Sequence, residues 1–278
     1  MNLRLSLPAI WLALALLVPA PVTAADEEKP QLPFAEAVRS GDTLYLSGQI
    51  GIGPGADRPV SGGLAAETGQ AMDNIGAVLR RNGLGFGDIV RCVVMLADMS
   101  QWPEFNRVYA SYFPDGRFPA RSSFGATALA PGATVEIECT ARFLVSPVAI
   151  NPGVALGPYS QAVAAGGLIH VSGIVAFDAA SGAFAPADID SQMRQVLANL
   201  DEVLAGAGAG RADVVRTTAF LRDPRDFPAV NSAYADYFEG LTPPARTTVP
   251  GADWGRPDIM VEIDAVAVAR PRVSRTGE

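Results

Sequence analysis

Two stretches of this 278-residue sequence place the same reactive groups in the same order. FPARSSF (118–124) sets Arg121 between Pro-Ala and two hydroxyls, and the strand-like run TVEIECTARF follows with Glu136 and Glu138. PPARTTV (243–249) and MVEIDAVAVA repeat the phrase with Arg246, Glu262 and Asp264. A guanidinium fixed in a strand presents a planar fork of donors that matches a carboxylate. A glutamate beside it could orient a water and accept its proton, a role worth roughly 10²–10⁴ in rate. Alternation along a strand puts Ser123 on the face of Arg121, and Thr248 on the face of Arg246. Each group also has a bland reading. Buried arginines usually pair with protein acids, and glutamates alternating outward from apolar neighbours usually face solvent. The repetition shows common descent, not use.

Other chemistries find little support. His170 is the only histidine, so neither a His-rich metal site nor a Ser-His-Asp hydrolase is expected, and a strand-packing role suits its run LIHVSG. No metal cofactor is expected. Cys92 and Cys139 lack zinc-site spacing. Buried free thiols are their expected state, with a disulfide between them as the alternative in an oxidising compartment. GAGAG (206–210) follows a helix rather than a strand, which makes it a helix-ending turn and not a dinucleotide loop.

The chain carries 21 Lys and Arg against 29 Asp and Glu, a net charge of −8 with no basic patch. It lacks the cationic footprint of a phosphate-backbone binder, so nucleic acid is not an expected partner. The N-terminal run MNLRLSLPAIWLALALLVPAPVTAADEE has the layout of a secretory signal peptide spanning residues 1–25. Prolines at 8, 19 and 21 leave its apolar stretch short of the roughly 20 residues that span a bilayer. A periplasmic or secreted protein without stable membrane contact after cleavage is the expectation.

The elements that must position the arginines and glutamates come in duplicate. Arg246 follows Arg121 by 125 positions, and the same offset sets Pro158-Tyr159 on Pro33-Phe34, Ser172-Gly173 on Ser47-Gly48, Asn231 on Asn106 and Tyr234 on Tyr109. One extra residue then separates the arginine from the glutamate in the second repeat. The expected domains are 31–146 and 150–270, joined by a linker at SPVAINPGV (146–154). Each repeat reads β-β-α-β-α-β-β. DTLYLSGQI (42–50) and DIVRCVVML read as strands. Met72, Ile75, Val78 and Leu79, like Val196, Leu200, Val203 and Leu204, recur at helical spacing. Phe105, Val108, Tyr109 and Tyr112 form the stripe of a shorter helix. Two helices cover one sheet face only, so the other should pack on another sheet, between repeats or between chains. A homo-oligomer is therefore expected.

The ordered set of motifs resembles the RidA (YjgF) family of enamine/imine deaminases, and does so twice. NPGVALGPYSQAV, HVSGIV, VVRTTAFLRD, VNSAYADYF, PPARTTV and VEIDAVAV carry the likeness in the second repeat; LYLSGQI, FNRVYASYF, FPARSSF and VEIEC carry it in the first. The resemblance implies an α+β fold of two tandem chorismate-mutase-like domains, each a mixed β-sheet with two helices on one face, packed in a trimer-like way with ligand clefts between subunits. It implies that Arg121 and Arg246 bind the carboxylate of a small 2-imino or enamine acid, and that Glu136 and Glu262 position the attacking water. Tyr159, Ser172, Gly173, Thr248 and Asn231 would complete the substrate site of the second repeat, and Ser47, Gly48, Ser123 and Asn106 that of the first. The resemblance implies a 2-keto acid and ammonium as products, formed without metal or organic cofactor. Phe34 replaces the family tyrosine in the first repeat, so Arg246 with Glu262 is the expected principal site. A non-catalytic module for small acids, or a holdase-like surface, is the alternative. RNA cleavage is disfavoured by the acidic charge.

Overall fold

The computed structural model describes residues 33–129 and 132–269. The expected signal peptide lies outside them. In the first repeat the strands are β1 (Ala37–Ser40), β2 (Thr43–Leu46), β3 (Gln49–Ile50), β4 (Ile89–Leu96), β5 (Ala120–Gly125) and β6 (Val135–Arg142), with helices α1 (Gly63–Arg81) and α2 (Trp102–Ser111). The second repeat begins with β7 (Val148–Ile150), β8 (Ala162–Ala165) and β9 (Leu168–Val175). The hairpin β10 (Phe177–Asp178) and β11 (Ala183–Phe184) follows, then α3 (Ile189–Gly206), β12 (Val214–Leu221), α4 (Phe227–Tyr237), β13 (Ala245–Pro250) and β14 (Val261–Val268).

The first sheet runs β1-β2-β6-β4-β5, with β3 also on β6, and the second runs β13-β12-β14-β9-β8-β7. Only β4–β5 and β12–β13 are parallel; the other pairs are antiparallel. Alternation decides which face each strand buries. Val135, Ile137, Cys139 and Ala141 of β6 join Met72, Ile75 and Leu79 of α1 and Phe105 and Tyr109 of α2 in one core. Met193, Val196, Leu200 and Leu204 of α3 pack likewise on Ile169, Ile263 and Ala265. Asp188 caps α3 by accepting a hydrogen bond from Ser191 N at 2.8 Å.

The helix-free faces meet each other. From Phe34 onward both repeats form one compact unit. Strands β4 and β5 lie against β8 and β9, through an apolar contact of Val90 and Ala120 with Val163 and Ala165. Beside it Arg91 pairs with the buried Asp264, which also accepts from Ser122 Oγ at 3.0 Å. The outer edge of β5 is tied down from the other repeat. Arg121 N donates to Ser172 Oγ at 2.7 Å, Ser160 N donates to Pro119 O at 3.0 Å, and Gly125 N donates to Asp253 O at 2.7 Å.

Three expectations need correction. Cys92 and Cys139 are not free thiols but a disulfide: they face each other across β4 and β6, both directed into the core. Cross-strand register sets that proximity, and separation along the chain hides it. Residues 42–50 are not one strand. Tyr45 pairs with Thr140 while Gln49 pairs with Ile137, so Ser47-Gly48 holds one residue too many and bulges. The second repeat shows the same excess at Ser172-Gly173, between Val171↔Ala265 and Ile174↔Ile263. Finally, the linker expected at 146–154 contributes β7, which pairs with β8 through Val148–Ile150.

Candidate active site between the repeats

The bulges matter because of what lies across them. A Cβ on Gly173 would sit 1.9 Å from Glu262 Oε1, and one on Gly48 would sit 2.0 Å from Glu136 Oε1. The glycine leaves the space through which each glutamate crosses its neighbouring strand. That is the physical content of the repeated Ser-Gly.

Glu262 then enters a cavity of about 250 Å³ that also contains Arg121, Ser123, Tyr159 and Gly173. The arginine comes from β5 of the first repeat and the glutamate from β14 of the second. Arg121 is only 2% exposed. Its Nη2 donates to Asn106 Oδ1 at 2.8 Å, and its guanidinium lies 4.9 Å from the Tyr109 ring centre and 5.3 Å from that of Tyr159. Nε and Nη1 are buried without a partner. Such donors are costly to leave unmade, and Arg121 lines the cavity. Burial lowers the guanidinium pKa, against the opposing pull of Tyr109, Tyr159 and Glu262.

Glu262 is equally enclosed. Its Oε2 accepts from Trp254 Nε1 at 2.8 Å, while Oε1 has no partner. Burial pushes the carboxyl up to about 8, with the Trp254 hydrogen bond opposing and Asp264 adding to the rise. Burial thus favours its protonated form. Tyr159 accepts from Leu156 N at 3.2 Å, and burial raises its phenol. Ser123 Oγ is buried and unpartnered.

Sequence reasoning paired Arg246 with Glu262 because both belong to one repeat. The structure separates them: Glu262 shares its cavity with Arg121, and the lining does not include Arg246. Arg246 lies half-buried on β13, bonded through Nη2 to Asn231 Oδ1 and 4.6 Å from the Tyr234 ring centre. Thr248 follows it on the same strand. Glu136 lies on β6 beside Gly48, raised by burial and by Glu138. Asn106 and Asn231 hold their arginines. Ser172 is committed to the backbone, accepting from Arg121 N and donating to Ser160 O at 2.5 Å, and Ser47 donates to Ala35 O at 2.7 Å. His170 is held neutral, lowered to about 4 by burial and by Arg91 and Arg142. Among the described residues no cluster of three or more potential metal ligands occurs.

Sequence reasoning missed Trp254 and the cavity walls Met99, Leu156, Phe177 and Phe184. The longer arginine-to-glutamate segment of the second repeat, which contains Trp254, was the one available signal.

A family model described as Endoribonuclease L-PSP matches residues 25–143 and again 150–269. The chain belongs to this family, that of RidA/YjgF, and carries it twice in tandem. Among its relatives are the 2-iminobutanoate/2-iminopropanoate deaminase of Homo sapiens, 40% identical over 109 residues (39% of this chain, 79% of that protein), and a RutC family protein of Synechocystis, 45% identical over 114 residues (41% and 87%). A chorismatase crystal structure is similar in fold over 84% of this chain and 76% of its own, with a TM-score of 0.66 at 17% identity.

Proposed function

We propose that the protein is a cofactor-independent hydrolase of small 2-imino or enamine acids, yielding 2-keto acids and ammonium, and that its working site is the cavity between the repeats. One observation carries this reading: Arg121, with Nε and Nη1 unpartnered, and Glu262, with Oε1 unpartnered, line a single cavity. The deaminase names of relatives that match about one repeat support it.

Arg121 binds the substrate carboxylate, with Asn106 and the surrounding rings fixing its plane. Glu262 starts protonated and gives its proton to the imine nitrogen. The resulting carboxylate takes a proton from water as the water oxygen bonds to C2. The tetrahedral adduct then passes its hydroxyl proton to nitrogen through the same carboxyl group, the C–N bond breaks with its electrons on nitrogen, and ammonia leaves. Protons balance and Glu262 ends as it began. Tyr159 and Ser123 line the path, and Trp254 holds one carboxyl oxygen so that the other faces the ligand.

Export follows as part of the proposal, supported by the Cys92–Cys139 disulfide, since such bonds persist in oxidising compartments. So does association of chains. The β12–β13 face repeats the β4–β5 face but lies open with Arg216 and Arg246, and the β2–β6 face lies open with Glu136 and Glu138. Association would cover both faces.

The test supplies imines made in situ by an amino-acid oxidase and follows ammonium release, with Arg121→Ala and Arg246→Ala in parallel. Loss of turnover in Arg121→Ala alone is expected. Binding of 2-keto acids without any acceleration would leave only a binding module.

A further inference from the structure

The walls of the Arg121–Glu262 cavity define more than an anion site. Arg256 also borders the cavity, its guanidinium 4.5 Å from the Phe184 ring centre; beyond it and Arg121, Glu262, Tyr159 and Ser123, most of the lining is apolar, including Met99, Trp102, Leu156, Phe177 and Ile259. Phe177 and Phe184 stack edge to face across the β10–β11 hairpin, ring centres 5.3 Å apart. The first repeat closes the same hairpin with Ile52 and Pro59, which form the equivalent bridge. Trp254 belongs to GADWGRPDIM (251–260), whose counterpart ATALAPGAT (126–134) has no aromatic residue. Phe177, Phe184 and Trp254 are thus particular to the second repeat, while Trp102 comes from the first.

Volume gives the scale. An apolar cavity of about 150 Å³ is enough for a benzene ring, and this one measures about 250 Å³. The surplus accommodates a carboxylate head and an imine carbon. A three-carbon imino acid would leave the aromatic walls without a partner beyond one methyl.

We infer that the site takes 2-imino acids with a bulky apolar substituent, aryl above all, in preference to alanine-sized ones. The inference rests on the imine-hydrolase reading and deepens it. The carboxylate lies on Arg121, C2 lies toward Glu262, and the ring lies against Phe177, Phe184 and Leu156.

Imines generated from phenylalanine and from alanine by an amino-acid oxidase give the test, with phenylpyruvate and pyruvate as binding probes of the wild-type protein. The phenylalanine-derived imine should be hydrolysed with kcat/KM at least about tenfold higher, the factor that burial of a Phe-sized group carries. Phenylpyruvate should bind correspondingly tighter than pyruvate. Leu156→Trp, which fills the cavity, should pull the ratio of the two imines back toward unity or below it. Equal or better hydrolysis of the alanine-derived imine by the wild type overturns the substrate class and leaves the hydrolase reading standing. If neither imine is hydrolysed faster than in buffer, the hydrolase reading falls and this inference falls with it.

Discussion

Arg121 with Glu262, and Arg246 with Glu136, are the same residue types on the same scaffold, yet only the first pair shares a cavity. Around it Val90, Ala120, Val163 and Asp264 are at most 5% exposed. Their counterparts Val215, Ala245, Val38 and Glu138 are exposed, Val38 at 57% and Val215 at 46%. The difference lies in the covering. Where the other repeat excludes water, Glu262 is pushed to about 8 and the guanidinium of Arg121 loses its alternative partners. On the faces that the other repeat does not cover, Glu136 is raised by burial without being enclosed, and Arg246 is half-buried. Motif residues become a site only through their surroundings.

The sharpest way to break this comparison is charge-conserving. Arg121→Lys should lower kcat/KM by about 100-fold or more, because a point charge does not replace the planar donors. Arg246→Lys should change it less than about twofold on the same scale. Equal losses would mean that the two sites work alike.

Next in size is Glu262→Gln, expected to slow turnover by about 100-fold while binding of 2-keto acids persists; Glu136→Gln should have little effect. The wild-type kcat/KM should fall as pH rises through about 8, where Glu262 loses its proton. The linkage has a definite sign. With its pKa raised from 4.5 to about 8, Glu262 contributes stability present below the lower value and lost as pH rises through the upper. Urea titrations of wild type and Glu262→Gln across that window should therefore converge at the acidic end and separate at the alkaline end.

The disulfide occurs in one repeat only, since Thr217 and Ala265 occupy the equivalent positions. Breaking it with Cys92→Ser and Cys139→Ser should cost about 2–4 kcal/mol, read as a lower urea midpoint. The smallest effect concerns His170, lowered from 6.5 to about 4. It contributes stability present above pH 6.5 and lost as pH falls through about 4, and His170→Tyr should remove that acid sensitivity.

Much of this architecture was readable in advance, for local reasons. The offset of 125 positions exposed the duplication, and strict alternation in VEIEC told which face of β6 was core. Helical spacing located α1 and α3. The Ser-Gly bulges were not readable, because an extra residue is defined only against a partner strand. Trp254 and the hairpin phenylalanines carry no reactive group, and only the longer segment that contains Trp254 set it apart in the sequence.

The sequence by itself determined the reactive types, their duplication and the faces of the strands, since these depend on neighbours along the chain. Which arginine meets which glutamate was decided only in three dimensions. Two helix-free sheet faces needed burial, and packing them together carried Arg121 of one repeat to Glu262 of the other, leaving Arg246 and Glu136 on open faces. The same packing withdrew water from the carboxyl group and so set its proton affinity.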